Sequence, residues 1–215
     1  VVAPPVDLPE ELTGVPKDRL VVAVGRFNPD AHSNNKKHDV LIDAWAQLAP
    51  RLEPSGWQLH LAGGLGDDRA SRDYIARLRS NAADLAVRFH PNMDWAALTN
   101  LYRRSTLFWH ATGYGETQPE RFEHFGITTV EAMAHGCVPV VFAAGGQLEI
   151  VQDGKDGRLW RSVDELVSIT ETLVARPDEL FETAAAGRVT AAAFGKEHFL
   201  ERIRESVLRP AGIGV

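Results

Sequence analysis

The stretch "EHFGITTVE", Glu123 to Glu131, carries a carboxylate at each end with seven residues between them. Gly126 lets the backbone turn into a helix whose first amides lack intrahelical acceptors. Those amides and the positive end of the helix dipole make a site for phosphate. Glu131 would lie about one turn inside, roughly 5–7 Å along the axis at 1.5 Å per residue. That reach suits a sugar attached to the phosphate, because a carboxylate can accept two vicinal hydroxyls. Glu123 would stand just outside, at the mouth of a loop. Acids near a helix N-terminus also contribute about 0.3–1 kcal/mol each without any ligand, so the neighbouring loops must decide.

The first of those loops, "GRFNPDAHSNNKK", holds Gly25, Arg26, Lys36 and Lys37. Taken alone it reads as a solvated polar loop. "GGLGDD" is glycine-rich, yet no GxGxxG follows the first strand, which speaks against a nicotinamide or flavin enzyme. "HPNMD", with Asn92 and Met93, is short enough to present backbone groups to a flat base; a proline turn and a helix cap explain it equally well. Residues 113–122 form a long loop, with two glycines, a proline and two glutamates, and deliver Glu123, His124 and Phe125 to Gly126. Glu131 and His135 are spaced i,i+4, but no HExxH or cysteine cluster accompanies them, so no metal is expected. His135 beside Gly136 suits a donor near a helix C-terminus. His110 is the best of the other histidines for a site role, although a hydrogen-bonded structural imidazole is the commoner case.

The elements that must position these residues alternate along the chain. "LVVAVGRF", "WQLHLAGG", "LAVRFH", "TLFWHA" and "CVPVVFA" read as buried strands, and "GRLW" as a short sixth. Between them lie helical patterns: Val40, Leu41, Ala44, Trp45 and Leu48; Tyr74, Ile75 and Leu78; Leu98, Leu101 and Tyr102 behind an Asp94 cap. Ser162 and Glu165 form a capping box. The last helix sets Phe199, Leu200, Ile203 and Val207 on an inner face. Repeated strand–helix units predict an α/β fold, a doubly wound Rossmann-like parallel sheet covered on both faces. Ligands of such sheets bind beyond the carboxyl ends of the strands, where all the suspected loops fall. The three prolines of "VVAPPVDLPEEL" favour an extended connector, so residues 1–18 read as a linker and 19–215 as one domain.

The chain has 215 residues, 44% of them hydrophobic, and a net charge of −6. An acidic surface excludes general attraction to nucleic acid, so an anionic ligand needs local cations or backbone dipoles. The one cysteine, Cys137, excludes an internal disulfide and fits a reducing, cytoplasmic setting. Its position before an apolar run marks a small buried thiol. No apolar run is long enough to span a bilayer. The chain begins with valine, as a piece of a longer protein would.

In order, "VGRF", "KKHDVLIDAW", "LHLAGG", "VRFHPNM" and "EHFGITTVEAMAHGCVPVVFAAGGQLEIVQDGKDGRLW" resemble the C-terminal half of the retaining GT-B glycosyltransferases, group 1 or family 4. The resemblance runs through nearly the whole chain. It implies a donor-binding domain for a nucleoside-diphosphate sugar, used without a metal or other cofactor. Glu131 would bind the ribose hydroxyls, and Glu123 would face the donor sugar as the catalytic residue. Amides around Gly126, Ile127 and Thr128 would take the diphosphate, Arg26 and Lys36 would neutralise it, and Asn92 and Met93 would lie against the base.

Many family members have glycine where this chain has His124; "EHFGI" resembles a subset that includes mannosyltransferases of glycan assembly, so mannose is one candidate sugar. The loop before Lys36 is longer than usual, which leaves Lys37 as an alternative to Lys36. An N-terminal acceptor-binding domain would be missing, and any contact with a membrane surface is expected only through it. Two rivals remain: a GT-B-like nucleotide-sugar epimerase, and a module that holds nucleotide without catalysis.

Overall fold

The computed structural model describes residues 3–9, 16–29 and 35–208. Six strands form one parallel sheet: β1 (Asp18–Val24), β2 (Gln58–Gly63), β3 (Val87–Pro91), β4 (Ser105–His110), β5 (Val138–Phe142) and β6 (Arg158–Trp160). Their order is β3-β2-β1-β4-β5-β6. The order reverses between β1 and β4, and this is the switch point at which doubly wound sheets open a crevice. The α/β, Rossmann-like expectation is met.

Side chains on a strand alternate between faces, and both faces here are covered. Val21, Ala23, Leu107, Trp109 and Val140 point into one core beneath α1 (His38–Leu52), α2 (Arg69–Asn81) and α6 (Val163–Val174). Leu20, Val22, Phe108 and Val141 point into the other, beneath α3 (Trp95–Arg104) and α4 (Ile127–Ala134). α5 (Gln147–Ile150) is a single turn; α7 (Pro177–Ala192) and α8 (Lys196–Ile203) close the chain. Trp45 of α1 meets Trp109 edge-on at 6.0 Å, and both are fully buried. Replacing either by alanine should cost about 3–5 kcal/mol.

The expected caps form. Asp68 accepts from Ser71 N at 2.8 Å, Asp94 from Ala97 N at 2.7 Å, and Ser162 from Glu165 N at 3.2 Å. The Glu165 carboxylate returns to Arg161 N, one residue before the cap. Cys137 is fully buried, its thiol against the carbonyls of Tyr102 and Ser105, and burial raises its pKa.

The structure departs from the sequence reading in three places. β1 stops at Val24, so Gly25 to Phe27 belong to the loop that follows. The last helix does not bury the stripe assigned to it: Leu200 is exposed, while Phe199 and Ile203 are half-buried, because among the described elements α8 makes its main contacts with the turn that follows it and not with a strand. The side chain of Val207 lies outside the described residues. Lastly, residues 3–9 run extended but are held down. Val6 N donates to Phe194 O at 2.9 Å, and its side chain joins the second core.

Candidate functional site

The loops after β1, β2, β3 and β4 meet at the carboxyl edge of the sheet. Gly25 N donates to Ala62 O and Phe27 N to Gly64 O, each at 2.8 Å. The β1 and β2 loops therefore run backbone to backbone, and a Cβ on Gly63 would lie 1.9 Å from Gly25 O. Arg26 is exposed and lines a cavity of about 690 Å³ with Phe27, Gly64, Leu65 and Asn92. Residues 30–34 of the long first loop lie outside the described residues.

Lys36 and Lys37 diverge. Lys37 has φ 52, a left-handed backbone, immediately before α1. Its ammonium bonds Glu116 at 2.6 Å, and Arg121 holds the other oxygen of Glu116 at 3.2 Å. Lys36 turns instead to Glu123, Nζ to Oε2 at 2.6 Å. Its stem lies over Gly25, where a Cβ would be 2.4 Å from Lys36 Cγ. Of the two lysines, only Lys36 reaches a carboxylate of the "EHFGITTVE" segment.

Glu123 Oε2 also accepts from His110 Nε2 at 3.2 Å. Burial alone would raise the Glu123 carboxyl, but the His110 bond and the Lys36 charge overcome it and hold it at about 2. Burial pushes His110 below its ordinary value against the pull of Glu123. A neutral imidazole that donates from Nε2 keeps Nδ1 as an acceptor, and that atom is buried without a partner among the described residues. His110 therefore fixes the Glu123 carboxylate from below while Lys36 meets it from the side.

Gly126 starts α4 with φ 106, as the sequence reading requires. A Cβ there would sit 2.7 Å from Gln147 Nε2. Ile127 is 43% exposed and Thr128 half-buried, so the first turn of α4 faces outward. Its free amides point along the helix axis toward the cleft. Phe125 turns inward against Phe194, with ring centroids 5.6 Å apart, while His124 is exposed.

One turn inside α4, Glu131 is half-buried and accepts from Tyr102 OH at 3.1 Å. Desolvation raises its carboxyl above the usual range, the Tyr102 bond works the other way, and Asp7 adds to the rise. Tyr102 stacks on His135 at 5.6 Å. His135 Nδ1 donates to Glu131 O at 2.7 Å. The i,i+4 pair considered for a metal is thus tied to a tyrosine and a helix carbonyl. Among the described residues no group of three His, Cys, Asp or Glu gathers as a metal cage.

Asn92, with φ 55, accepts from Leu65 N at 2.8 Å and donates to Leu65 O at 3.3 Å. Its amide fixes the β2 loop, so what it offers a ligand is mainly backbone. Met93 packs on the second core.

Two features escaped the sequence reading. Gly145 and Gly146, the paired glycines before "QLEIV", hold the segment that carries Glu123. A Cβ on Gly145 would lie 2.2 Å from Glu123 O, and one on Gly146 2.5 Å from Phe125 O. Gly146 N donates to Glu123 O at 2.8 Å. Tyr102, assigned only to a helix face, turns out to hold Glu131. The paired glycines were a visible signal; nothing in the spacing announced the tyrosine.

Known proteins bear on this geometry. The profile of the glycosyl transferases group 1 matches residues 8–180. The chain belongs to that family. Family members named as enzymes include the D-inositol 3-phosphate glycosyltransferase of Rhodococcus erythropolis, 29% identical over 91% of this chain and 42% of its own length. A GDP-Man:Man(3)GlcNAc(2)-PP-Dol alpha-1,2-mannosyltransferase of Dictyostelium discoideum is 26% identical over 93% of this chain and 40% of its own. Among solved structures, Anabaena HepE in complex with UDP and glucose superposes with a TM-score of 0.72 at 25% identity, over 89% of this chain and 48% of that one. The chain thus spans under half the length of these relatives and has the Rossmann-like half of a GT-B glycosyltransferase. Among the described residues no helix is long and apolar enough to cross a membrane.

Proposed function

We propose that this chain is the donor-binding domain of a retaining, metal-independent glycosyltransferase. It binds a nucleoside-diphosphate sugar at the carboxyl edge of the sheet. In the whole protein a preceding domain supplies the acceptor hydroxyl, and the sugar is passed on with retention at the anomeric carbon. The observation that carries this reading is the Lys36–Glu123 contact of 2.6 Å beside the outward-facing first turn of α4. It gathers a cation, a carboxylate and free amides where a diphosphate and its sugar would meet. The likeness to HepE, whose complex holds UDP and glucose, supports the ligand class. Likeness to the mannosyltransferase of Dictyostelium supports mannose as the sugar.

In this reading the diphosphate lies over the amides of Gly126, Ile127 and Thr128. Arg26 and Lys36 neutralise the charge that develops on the leaving group, in place of a metal ion. Lys36 must then exchange Glu123 for phosphate, which frees the Glu123 carboxylate for hydroxyls of the donor sugar. Glu131 takes the ribose, with Tyr102 holding its other side.

Calorimetric titration of nucleoside diphosphate and of the intact sugar nucleotide tests these roles. Glu131→Ala should weaken both ligands tenfold to hundredfold, roughly the 1.5–3 kcal/mol of a charged hydrogen bond. Glu123→Ala should weaken only the sugar nucleotide. Equal effects of the two mutations on both ligands would refute the assignment, and loss of binding in EDTA would refute the metal-free reading.

A further inference from the structure

A second cavity, of about 850 Å³, opens at the amino edge of the sheet, the end opposite the donor site. Among the described residues four cations line it, Lys17, Arg19, Arg103 and Arg188, and no carboxylate does. In a chain of net charge −6 that is a marked local reversal. Lys17 and Arg188 converge on Gly136, where a Cβ would lie 3.0 Å from Arg188 Nη1 and 3.5 Å from Lys17 Cε. The facing wall is apolar, made by Trp57, Val174, Leu180 and Phe181. Phe181 is 73% exposed.

Part of this charge has an internal explanation. Lys17 Nζ donates to the carbonyls of Tyr102, Ser105 and His135, so it caps the ends of α3 and α4. Arg103 lies in the last turn of α3. Cations there are favoured by the helix dipoles. Arg19, on β1, likewise spends one of its five N–H donors on Ser55 O, in the turn between α1 and β2, and keeps the others; this internal account does not extend to Arg188, in the interior of α7. Neither forms an ion pair with a described carboxylate. Nor does it explain a large aromatic ring left in water beside them. Cations set against an exposed apolar wall match an anionic headgroup that carries a hydrocarbon chain.

We infer that this cavity docks the domain on an anionic phospholipid bilayer, with Arg19 and Arg188 taking the headgroup phosphate and Phe181 entering the acyl boundary. The donor site, at the opposite edge, then faces the aqueous side. This contact belongs to the chain described and needs no preceding domain.

Vesicle flotation of the 215-residue chain tests the inference, with phosphatidylcholine vesicles that contain or lack phosphatidylglycerol. The chain should float with the anionic vesicles and not with the neutral ones. Arg188→Glu should lower partition about twenty-five-fold, at a factor of about five for each unit charge near the surface. Phe181→Ser should also release it, and both variants should keep the wild-type melting transition. Should Arg188→Glu fold poorly, Phe181→Ser decides alone, since its ring is exposed already. Absence of flotation, equal flotation on neutral vesicles, or variants that bind like wild type would overturn the inference. So would binding of soluble glycerol phosphate without binding of vesicles.

Discussion

Glu123 and Glu131 flank the same helix start in opposite electrostatic surroundings. The depressed carboxyl of Glu123, at about 2 against an ordinary 4.5, means the unfolded chain binds more protons between those values. Its stabilisation is therefore present above about pH 4.5 and is lost as pH falls toward 2. Glu131 shifts upward, so the folded state holds its proton more tightly, and its charge counts against folding above the ordinary value. Urea denaturation should separate the two. Glu123→Gln should lower the midpoint at pH 7, with the gap to wild type narrowing at pH 3. Glu131→Gln should match or exceed wild type at pH 7. A carboxylate kept ionised against its own desolvation is poised for a ligand, as functional sites often are.

At the scale of elements, the site depends on how closely the β5–α5 turn approaches the α4 start. Gly145 has φ 58 and its missing Cβ would strike Glu123 O. Gly145→Ala should cost about 1–3 kcal/mol in backbone strain and collision, and should also displace Glu123. Gly115 offers a control on the same rim: φ is 74, but nothing lies within 4 Å of a Cβ there. Gly115→Ala should lose some stability and leave sugar-nucleotide affinity nearly unchanged, whereas Gly145→Ala should lose both. Thermal melts alongside calorimetry would show the difference, and equal affinity loss in the two variants would refute the role given to the β5–α5 turn. The two ion pairs Lys36–Glu123 and Lys37–Glu116 fasten the β1–α1 loop to the β4–α4 loop in the same way. They are joined by adjacent residues whose side chains diverge because Lys37 adopts φ 52.

At the scale of the whole molecule, a cleft bounded on one side only holds a donor but does not exclude water. Transfer needs both substrates held together in a dry site. The isolated chain should bind nucleoside diphosphate and transfer almost no sugar when radiolabelled donor is offered to simple acceptors. Robust transfer by this chain alone would sink the two-domain reading. Leu200 of α8 belongs to this scale too: it is 45% exposed on a helix whose pattern promised an inner face.

The amino-acid sequence by itself determined the sheet and the helix that opens the site. Short unbroken apolar runs such as "LVVAV" and period-3.6 helices such as "HDVLIDAWAQL" are local patterns, and burial on both faces follows from them. The start of α4 at Gly126 was legible for the same reason, since it depends only on neighbours along the chain. The partners of each acid were not. His110 reaches Glu123 across 13 residues, Lys36 across 87, and Tyr102 reaches Glu131 across 29. Such contacts carry no periodic trace, because any donor of suitable length at the sheet edge would satisfy the same pattern. Which lysine faces Glu123 turned on a single left-handed backbone at Lys37. The amino-edge cavity is likewise tertiary: Lys17, Arg103 and Arg188 are scattered in sequence, and the parallel sheet gathers them where α3, α4 and α7 converge on its edge.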